Sequence, residues 1–471
     1  MAVQTESAPP VAGRPARYRH TGVAVATIVT CQLMLVLDAT VVNVALPDIQ
    51  ASLGFTPAGL VWVVNAYLLA FGGLLLLGGR TGDLLGRRRM FTIGIVVFTL
   101  ASLAGGLAQS PGWLVGTRAI QGVGAALASP GTLALLTSMF SGAARIRVLA
   151  VFSTTSAAGT SIGLLLGGVL TEWASWRWVL LVNVPVGVAI VVLAPLFIDE
   201  PARHRGRIDV AGALVATSGM VSVVYAFLRA AAAGWRDRVG LTAFGVAIVL
   251  LILFLLLEAR VEAPLLPGRV VLDRTRGPAY AAVTLLAAAV LSMFYYLLIA
   301  FQQVLGYGPL GAGVAFLPMT LALFGVSRLV PRLMARFGPR ALGLLGVTLL
   351  GVGLAWVSRL GPDTAYPSGL LVPMLLFGVG GGLAFIPLSV TIMSSLAPQD
   401  AGAGAGLLQT LQQTGSALGI AILTTAFSLG SRHAAGSRAQ VVADGTSAAL
   451  TGGIAFAAAA FLLYALLPRR R

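Results

Sequence analysis

Between Gly22 and Val44 the chain carries one charged side chain, Asp38, in a run of apolar and small residues interrupted otherwise only by Gln32 and Asn43. Runs of this kind recur to the C-terminus, each near the 20 or so residues that a helix needs to cross the hydrocarbon core of a bilayer. Lipid offers no hydrogen-bond partner to a backbone amide, so such runs are confined to helices that satisfy their own amides. Only 10% of residues are charged and 58% are hydrophobic, with a mean hydropathy of +0.93, whereas a soluble domain carries about 25% charge. The fold class that follows is an all-α polytopic membrane protein, with the lipid bilayer as its first partner. The run from Gly22 exceeds the 7–15 residues of a signal-peptide core, so it reads as an uncleaved first span.

Fourteen spans are expected. Six lie at 22–46, 59–79, 90–109, 112–137, 147–170 and 176–198, two at 209–230 and 239–258, and six at 278–302, 310–334, 340–359, 367–393, 402–428 and 449–467. The domain plan is a tail (1–21), a six-helix bundle (22–198), a two-helix insertion (209–258), a second six-helix bundle (278–467) and a tail (468–471). With both tails cytoplasmic, 23 of the 31 basic residues fall on inner segments and 7 on outer ones. That asymmetry orients membrane helices, and it places the chain as a multi-pass protein of the cell membrane.

All 31 basic residues are arginine. Without lysine there is no phosphate-binding loop of the nucleotide-hydrolysing kind and no Schiff-base chemistry. The arginines sit in short loops, where topology and lipid headgroups explain them better than nucleic acid does. Cys31 is the single cysteine, and His20, His204 and His433 lie in tails or loops. No metal site, cofactor or enzymatic centre is expected, and the chain is expected to be a monomer.

Residues 53–88 align without gaps to 305–340, with 11 identities in 36 columns. Glycine, proline and arginine columns carry the match: Gly54/Gly306, Pro57/Pro309, Arg80/Arg332, Gly86/Gly338 and Arg88/Arg340. An offset of 252 residues leaves room for an inserted helix pair between two units that face the same way. Parallel repeats about an axis along the membrane normal are a transporter architecture.

Four stretches stand out in order: LDATVVNVALP around Asp38, GGRTGDLLGRRRMF (Gly78 to Phe91), WLVGTRAIQGVGAA around Arg118, and GTSIGLLLGG in span five. Together they resemble the signatures of the major facilitator superfamily. The first is similar to the span-one signature of the fourteen-span drug:proton antiporters, the EmrB/QacA type. The family pattern has proline where this chain has Leu164. The resemblance covers about 20–467 and implies the major facilitator fold, two six-helix bundles plus two extra helices. It implies a proton-coupled exporter of drug-like, amphipathic or cationic organic compounds that confers multidrug or antibiotic resistance, with protons and a small organic substrate as partners. A same-fold exporter of an endogenous metabolite or lipid-linked product would share the mechanism. A non-transporting membrane receptor would leave Asp38 without a task.

Asp38 is the one acid placed well inside a span. Ionisable groups are costly there and mark ion pathways by default; the bland alternative is a carboxylate tied permanently to a neighbouring helix. Its helix face carries Cys31, Met34, Leu35, Val41, Val42 and Ala45, with Asn43 directed elsewhere. Arg118 is the one charged residue of span four, with Gln121 on the same face. Its guanidinium stays charged, so it serves either as a coupling partner, which the resemblance implies, or as a fixed hydrogen-bond hub. Asp38 is expected in a cavity between the bundles, taking proton and substrate in turn. For Gly82, Asp83, Gly86, Arg87 and Arg88 the resemblance implies a cytoplasmic gating latch between the bundles. Gly159, Gly163, Gly167 and Gly168 form a helix-packing stripe. Asn43, Asn65, Tyr67, Tyr295, Gln302, Gln409, Gln412 and Gln413 are candidates to line the cavity.

Overall fold

A computed structural model describes residues 21–467 apart from 141, 201–208, 262–272, 362–363, 397–400 and 435–436. Every regular element among the described residues is helical. In chain order these are α1 (Thr21–Leu53), α2 (Pro57–Leu85), α3 (Arg87–Gly106), α4 (Pro111–Met139), α5 (Gly142–Trp173), α6 (Trp178–Leu181), α7 (Asn183–Phe197), α8 (Val210–Ala233) and α9 (Arg238–Glu258). There follow α10 (Arg276–Gln303), α11 (Pro309–Ala315), α12 (Leu317–Val357), α13 (Tyr366–Gly369), α14 (Leu371–Ser394), α15 (Ala401–His433) and α16 (Arg438–Leu466). Among the described residues, 12 helical stretches are long and apolar enough to cross a membrane. The all-α polytopic fold expected from the sequence is the one the chain adopts. The expected spans at 310–334 and 340–359 run into one stretch, Pro309–Val357, which leaves helical geometry at Gly338.

Local chemistry explains where the helices start. Thr56 and Ser110 cap α2 and α4 through their hydroxyls, each followed by proline at the first helical position, where a missing N–H costs nothing. Asp209, Asp237 and Ser437 cap α8, α9 and α16 in the same way. Glycines turn the chain where L side chains are strained: Gly54 and Gly86 have φ of 71° and 114°, and their repeat partners Gly306 and Gly338 have 69° and 77°. Four of the five positive-φ glycines among the described residues are thus two pairs at the 252-residue offset. The repeat fixes backbone turns rather than side chains.

Close packing follows the same repeat. A Cβ on Gly94 would lie 2.7 Å from Gly124 O, and one on Gly124 would lie 2.6 Å from Phe98 N, so α3 and α4 touch backbone to backbone. The equivalent pair joins α12 to α14: Gly346 faces Gly380 O, and Gly380 faces Leu350 N. Likewise Gly122 abuts Tyr67 O and Phe71 N, while Gly378 abuts Met319 O and Leu323 N. Positions on α2 and α3 therefore map to α12 by adding 252, and positions on α4 map to α14 by adding 256.

Helix α8 packs against both α2 and α15. Thr217 fits beside Gly73, and Tyr225 lies near Trp62 with ring centroids 6.5 Å apart. From α15, Thr425, Ser428 and Arg432 donate to the carbonyls of Phe227 and Ala231, with Arg432 also reaching Ala232. Helix α9 lies outside α8 with only Gly240 and Ala247 buried.

Gly94→Ala should destabilise the chain by about 1–3 kcal/mol, because backbone must shift to admit the methyl group. Gly116→Ala, nearer the start of α4, meets no atom within 4 Å and should be neutral or slightly stabilising. Thermal unfolding of the two purified variants in detergent checks this contrast.

Candidate functional site

Asp38 lies in the interior of the α1–α7 group, 1% exposed, beside an equally buried Arg118. Arg118 Nη1 donates to Asp38 Oδ2 at 2.6 Å. Gln121 Nε2 and Asn183 Nδ2 each donate to Oδ1 at 2.9 Å. Four helices meet here: α1 brings the acid, α4 the arginine and glutamine, α7 Asn183, and α3 Ser102, whose hydroxyl accepts from Gln121 and Asn183. From α2, Val63 O accepts from Arg118 Nε at 3.1 Å, and the Tyr67 ring lies 4.5 Å from the guanidinium carbon. Arg118 Nη1 also donates to Gln121 Oε1.

In this structure the described partners of Asp38 all come from α4 and α7, and the carboxylate is buried among them. A lone carboxylate in a low-dielectric interior is prohibitively costly, and the chain offsets the cost with a cation and two amides from its own group of helices. Every described partner of the carboxylate is a donor, so the arrangement suits the ionised form. Oδ2 directly faces the Arg118 Nη1 donor, and Oδ1 faces the Gln121 and Asn183 amides. The site therefore links the charge on Asp38 to the position of Arg118.

The second group of helices lacks this chemistry. At the repeat offsets Tyr67 falls on Met319, Ser102 on Leu354, Arg118 on Met374 and Gln121 on Phe377. The same backbone packing holds an apolar filling there.

The remaining candidates scatter. Asn65 Nδ2 reaches across to Ala417 O of α15 at 3.4 Å, and its Oδ1 is buried without a partner, as is the Tyr67 hydroxyl. Gln302 Nε2 donates to Val44 O on α1 at 2.9 Å. Asn43 is 7% exposed and turns back to Ala39 O of its own helix. Tyr295 is buried edge-on to Tyr296, whereas Gln409, Gln412 and Gln413 are half-buried along α15, Gln413 against Gly72. Gly159, Gly163 and Gly167 face Val36, Thr40 and Val41 of α1, but Gly168 faces Leu310 of α11. In the Gly82–Arg88 turn, Asp83 pairs with Arg87 at 2.8 Å. Glu200 accepts from the amides of Arg88 and Arg89, and Arg88 Nη1 donates to Ile198 O. These partners of Asp83, Arg87 and Arg88 all belong to the α1–α7 group and the segment just after it.

Sequence reasoning missed Ser102, Asn183 and the Val63 carbonyl. An asparagine in an apolar span was the available signal for Asn183, since a buried amide needs partners.

Residues 28–420 match the family model of the Major Facilitator Superfamily. The puromycin resistance protein pur8 of Streptomyces alboniger is 41% identical over 449 residues, 93% of this chain and 89% of that protein. The cephamycin export protein CmcT of Amycolatopsis lactamdurans is 40% identical, covering 88% of this chain and 86% of its own. In fold, the chain superposes on an auto-inhibited POT family peptide transporter with a TM-score of 0.67 at 15% identity, covering 95% of this chain and 98% of that one.

Arg118→Met should cost about 3–5 kcal/mol by leaving Asp38 buried without a cation, whereas Asp38→Val combined with Arg118→Met should regain most of it. The apolar residues at the equivalent places in the second group motivate the pairing. Unfolding midpoints of the single and double variants read the difference directly.

Proposed function

The chain belongs to the major facilitator superfamily, and from that premise we propose that it is a proton-coupled antiporter exporting drug-like, amphipathic or cationic organic compounds. It is a membrane transporter related to drug- and antibiotic-resistance exporters. The observation that carries the proton-coupled reading is the buried Asp38–Arg118 pair, present in one group of helices and replaced by apolar residues in the other.

The proposed cycle runs through that pair. With Asp38 ionised, Arg118, Gln121 and Asn183 hold α1, α4 and α7 together. When a proton reaches Oδ2, Arg118 loses its strongest partner and keeps Val63 O and the face of Tyr67, a face that attracts cations. Helix α1 is then released from α4, and through Val44 and Gln302 its movement reaches α10. One proton moving inward at 100 mV supplies about 2.3 kcal/mol, enough to hold a substrate gradient above tenfold. The half-buried amides of Gln409, Gln412 and Gln413, with Asn65 and Tyr67, are the proposed contact surface for substrate.

The proposed frame has fourteen spans, as two six-helix bundles (22–198 and 278–467) around an inserted pair (209–258), with both termini cytoplasmic, working as a monomer. The stretch Pro309–Val357 has 49 residues, about 74 Å of helix at 1.5 Å per residue. It counts as two spans parted at Gly338. Helix α5, with 32 residues, counts as one more. In this frame the Gly82, Asp83, Gly86, Arg87 and Arg88 turn is the proposed cytoplasmic gate.

A second reading, export of an endogenous metabolite, is favoured by the relative named for cephamycin export. A substrate screen separates the two, since their mechanism is shared.

The test is proton flux in reconstituted vesicles, with internal pH recorded as candidate compounds are added. Asp38→Asn should abolish substrate-dependent flux and pH-driven export while the protein still inserts and purifies. Undiminished export by that variant sinks the proposal. Asn183→Ala should retain export but shift its pH profile, because one donor to the carboxylate is gone.

A further inference from the structure

The turns at Gly86 and Gly338 are repeats of one another with different fillings. After Gly86, the amides of Arg88 and Arg89 donate to the two oxygens of Glu200 at 3.0 and 3.1 Å, and a Cβ on Gly86 would lie 2.9 Å from that carboxylate. Arg88 reaches Ile198 O just past α7, and its counterpart Arg340 reaches Ala465 O near the end of α16. The frame is conserved between the two turns within this chain, but the acid is not. Ala335 stands where the first turn has Asp83, and no atom lies within 4 Å of a Cβ built on Gly338.

A cavity of about 510 Å³ opens at this second turn, lined by Met334, Ala335, Arg336, Phe337, Thr391 and Ser394 among others. Its lining is amphipathic. Arg328, Arg332 and Arg336 follow one another at four-residue spacing, exposed and without a carboxylate partner among the described residues. Arg328 lies over the Phe324 ring at 4.3 Å and Arg336 over Phe337 at 5.2 Å. On the preceding turns of α12, Leu321 and Leu329 are 68% and 49% exposed. That side of the helix therefore passes from hydrocarbon to a basic collar within two turns.

We propose that the cavity at Gly338 binds the headgroup of an anionic phospholipid, its phosphate held by Arg336 in the cavity lining and by Arg332 reaching in from one turn earlier on α12, with its acyl chains lying along the Leu321–Leu329 side of the helix. Charge complementarity selects the occupant. Guanidinium forks match phosphate oxygens and hold them in two-point hydrogen bonds, and basic clusters at a membrane surface draw anionic lipid. The lipid supplies in the second group the negative charge that Glu200 supplies in the first. The site is independent of what the protein carries.

The test uses native mass spectrometry of the full chain in detergent, titrated with phosphatidylglycerol or phosphatidylcholine. One phosphatidylglycerol should be retained about tenfold more strongly than phosphatidylcholine, and Arg332→Gln with Arg336→Gln should remove the preference. Ala335→Asp, which leaves both arginines in place but adds an internal carboxylate, should weaken phosphatidylglycerol binding to the same degree. Equal retention of the two lipids by the unaltered chain overturns the proposal, as does full retention by the double glutamine variant. Displacement of the lipid by millimolar glycerol 3-phosphate would make the site one for soluble anions and overturn the membrane source. Lipid-free unfolding midpoints accompany each variant; where the double variant does not fold, Ala335→Asp alone decides.

Discussion

A carboxylate and a guanidinium 2.6 Å apart in the interior of a helical membrane protein constrain everything near them. Neither can be removed alone without leaving a charge where water does not reach, and together they are only as stable as their hydrogen-bond shell allows. The shell explains the otherwise odd polar residues of the α1–α7 group. Gln121 and Asn183 serve the acid, Ser102 receives both amides, and Val63 O with Tyr67 serves the arginine. Five helices are held in register by one pair of charges.

That the pair is not needed for the fold is written in the second group. The close backbone contacts Gly122–Tyr67 and Gly94–Gly124 recur as Gly378–Met319 and Gly346–Gly380, yet Arg118 and Gln121 are matched there by Met374 and Phe377. Identical helix spacing is therefore compatible with an apolar filling that carries no desolvation cost. The second group shows that this backbone packing does not by itself require the charged pair. This asymmetry is the physical ground for assigning Asp38 a function.

How much of this could be read from the sequence depends on the kind of signal. Long apolar runs and turn glycines act locally, so the helices and the repeat were legible, and the structure adds that its paired glycines, Gly54 with Gly306 and Gly86 with Gly338, share positive φ. Asp38 and Arg118 were legible as solitary charges in apolar spans. Their pairing was not, because 80 residues separate them and helical periodicity says nothing about which face meets which. Ser102 and Asn183 are neutral and sit in spans with no other mark. The amides of α15 read as one polar stripe, but the structure sets them half-buried beside α2, where small residues such as Gly72 let the helices approach.

The two groups of helices are joined differently on their two sides, and this limits how they can move. On one side α2 meets α15 through Asn65, Gly72 and Leu76, against Ala417, Gln413 and Gly406 respectively. Helix α8 lies across that seam, bonded to α15 through three polar side chains and fitted to α2 through Thr217 and Tyr225. On the other side α5 meets α11 near one end, where Gly168 faces Leu310, Gly313 faces Leu164 O, and Glu172 accepts from Leu310 N. Small-residue contacts of the second kind can part without leaving a buried polar group unpaired. Parting α2 from α15 would cost the buried Asn65 amide its contact with Ala417 O, while α8 would keep its bonds to α15. The seams α2–α15, α5–α11 and α1–α10 each carry a polar contact that parting would break, Asn65–Ala417, Glu172–Leu310 and Gln302–Val44, so relative motion of the groups trades hydrogen bonds at every seam.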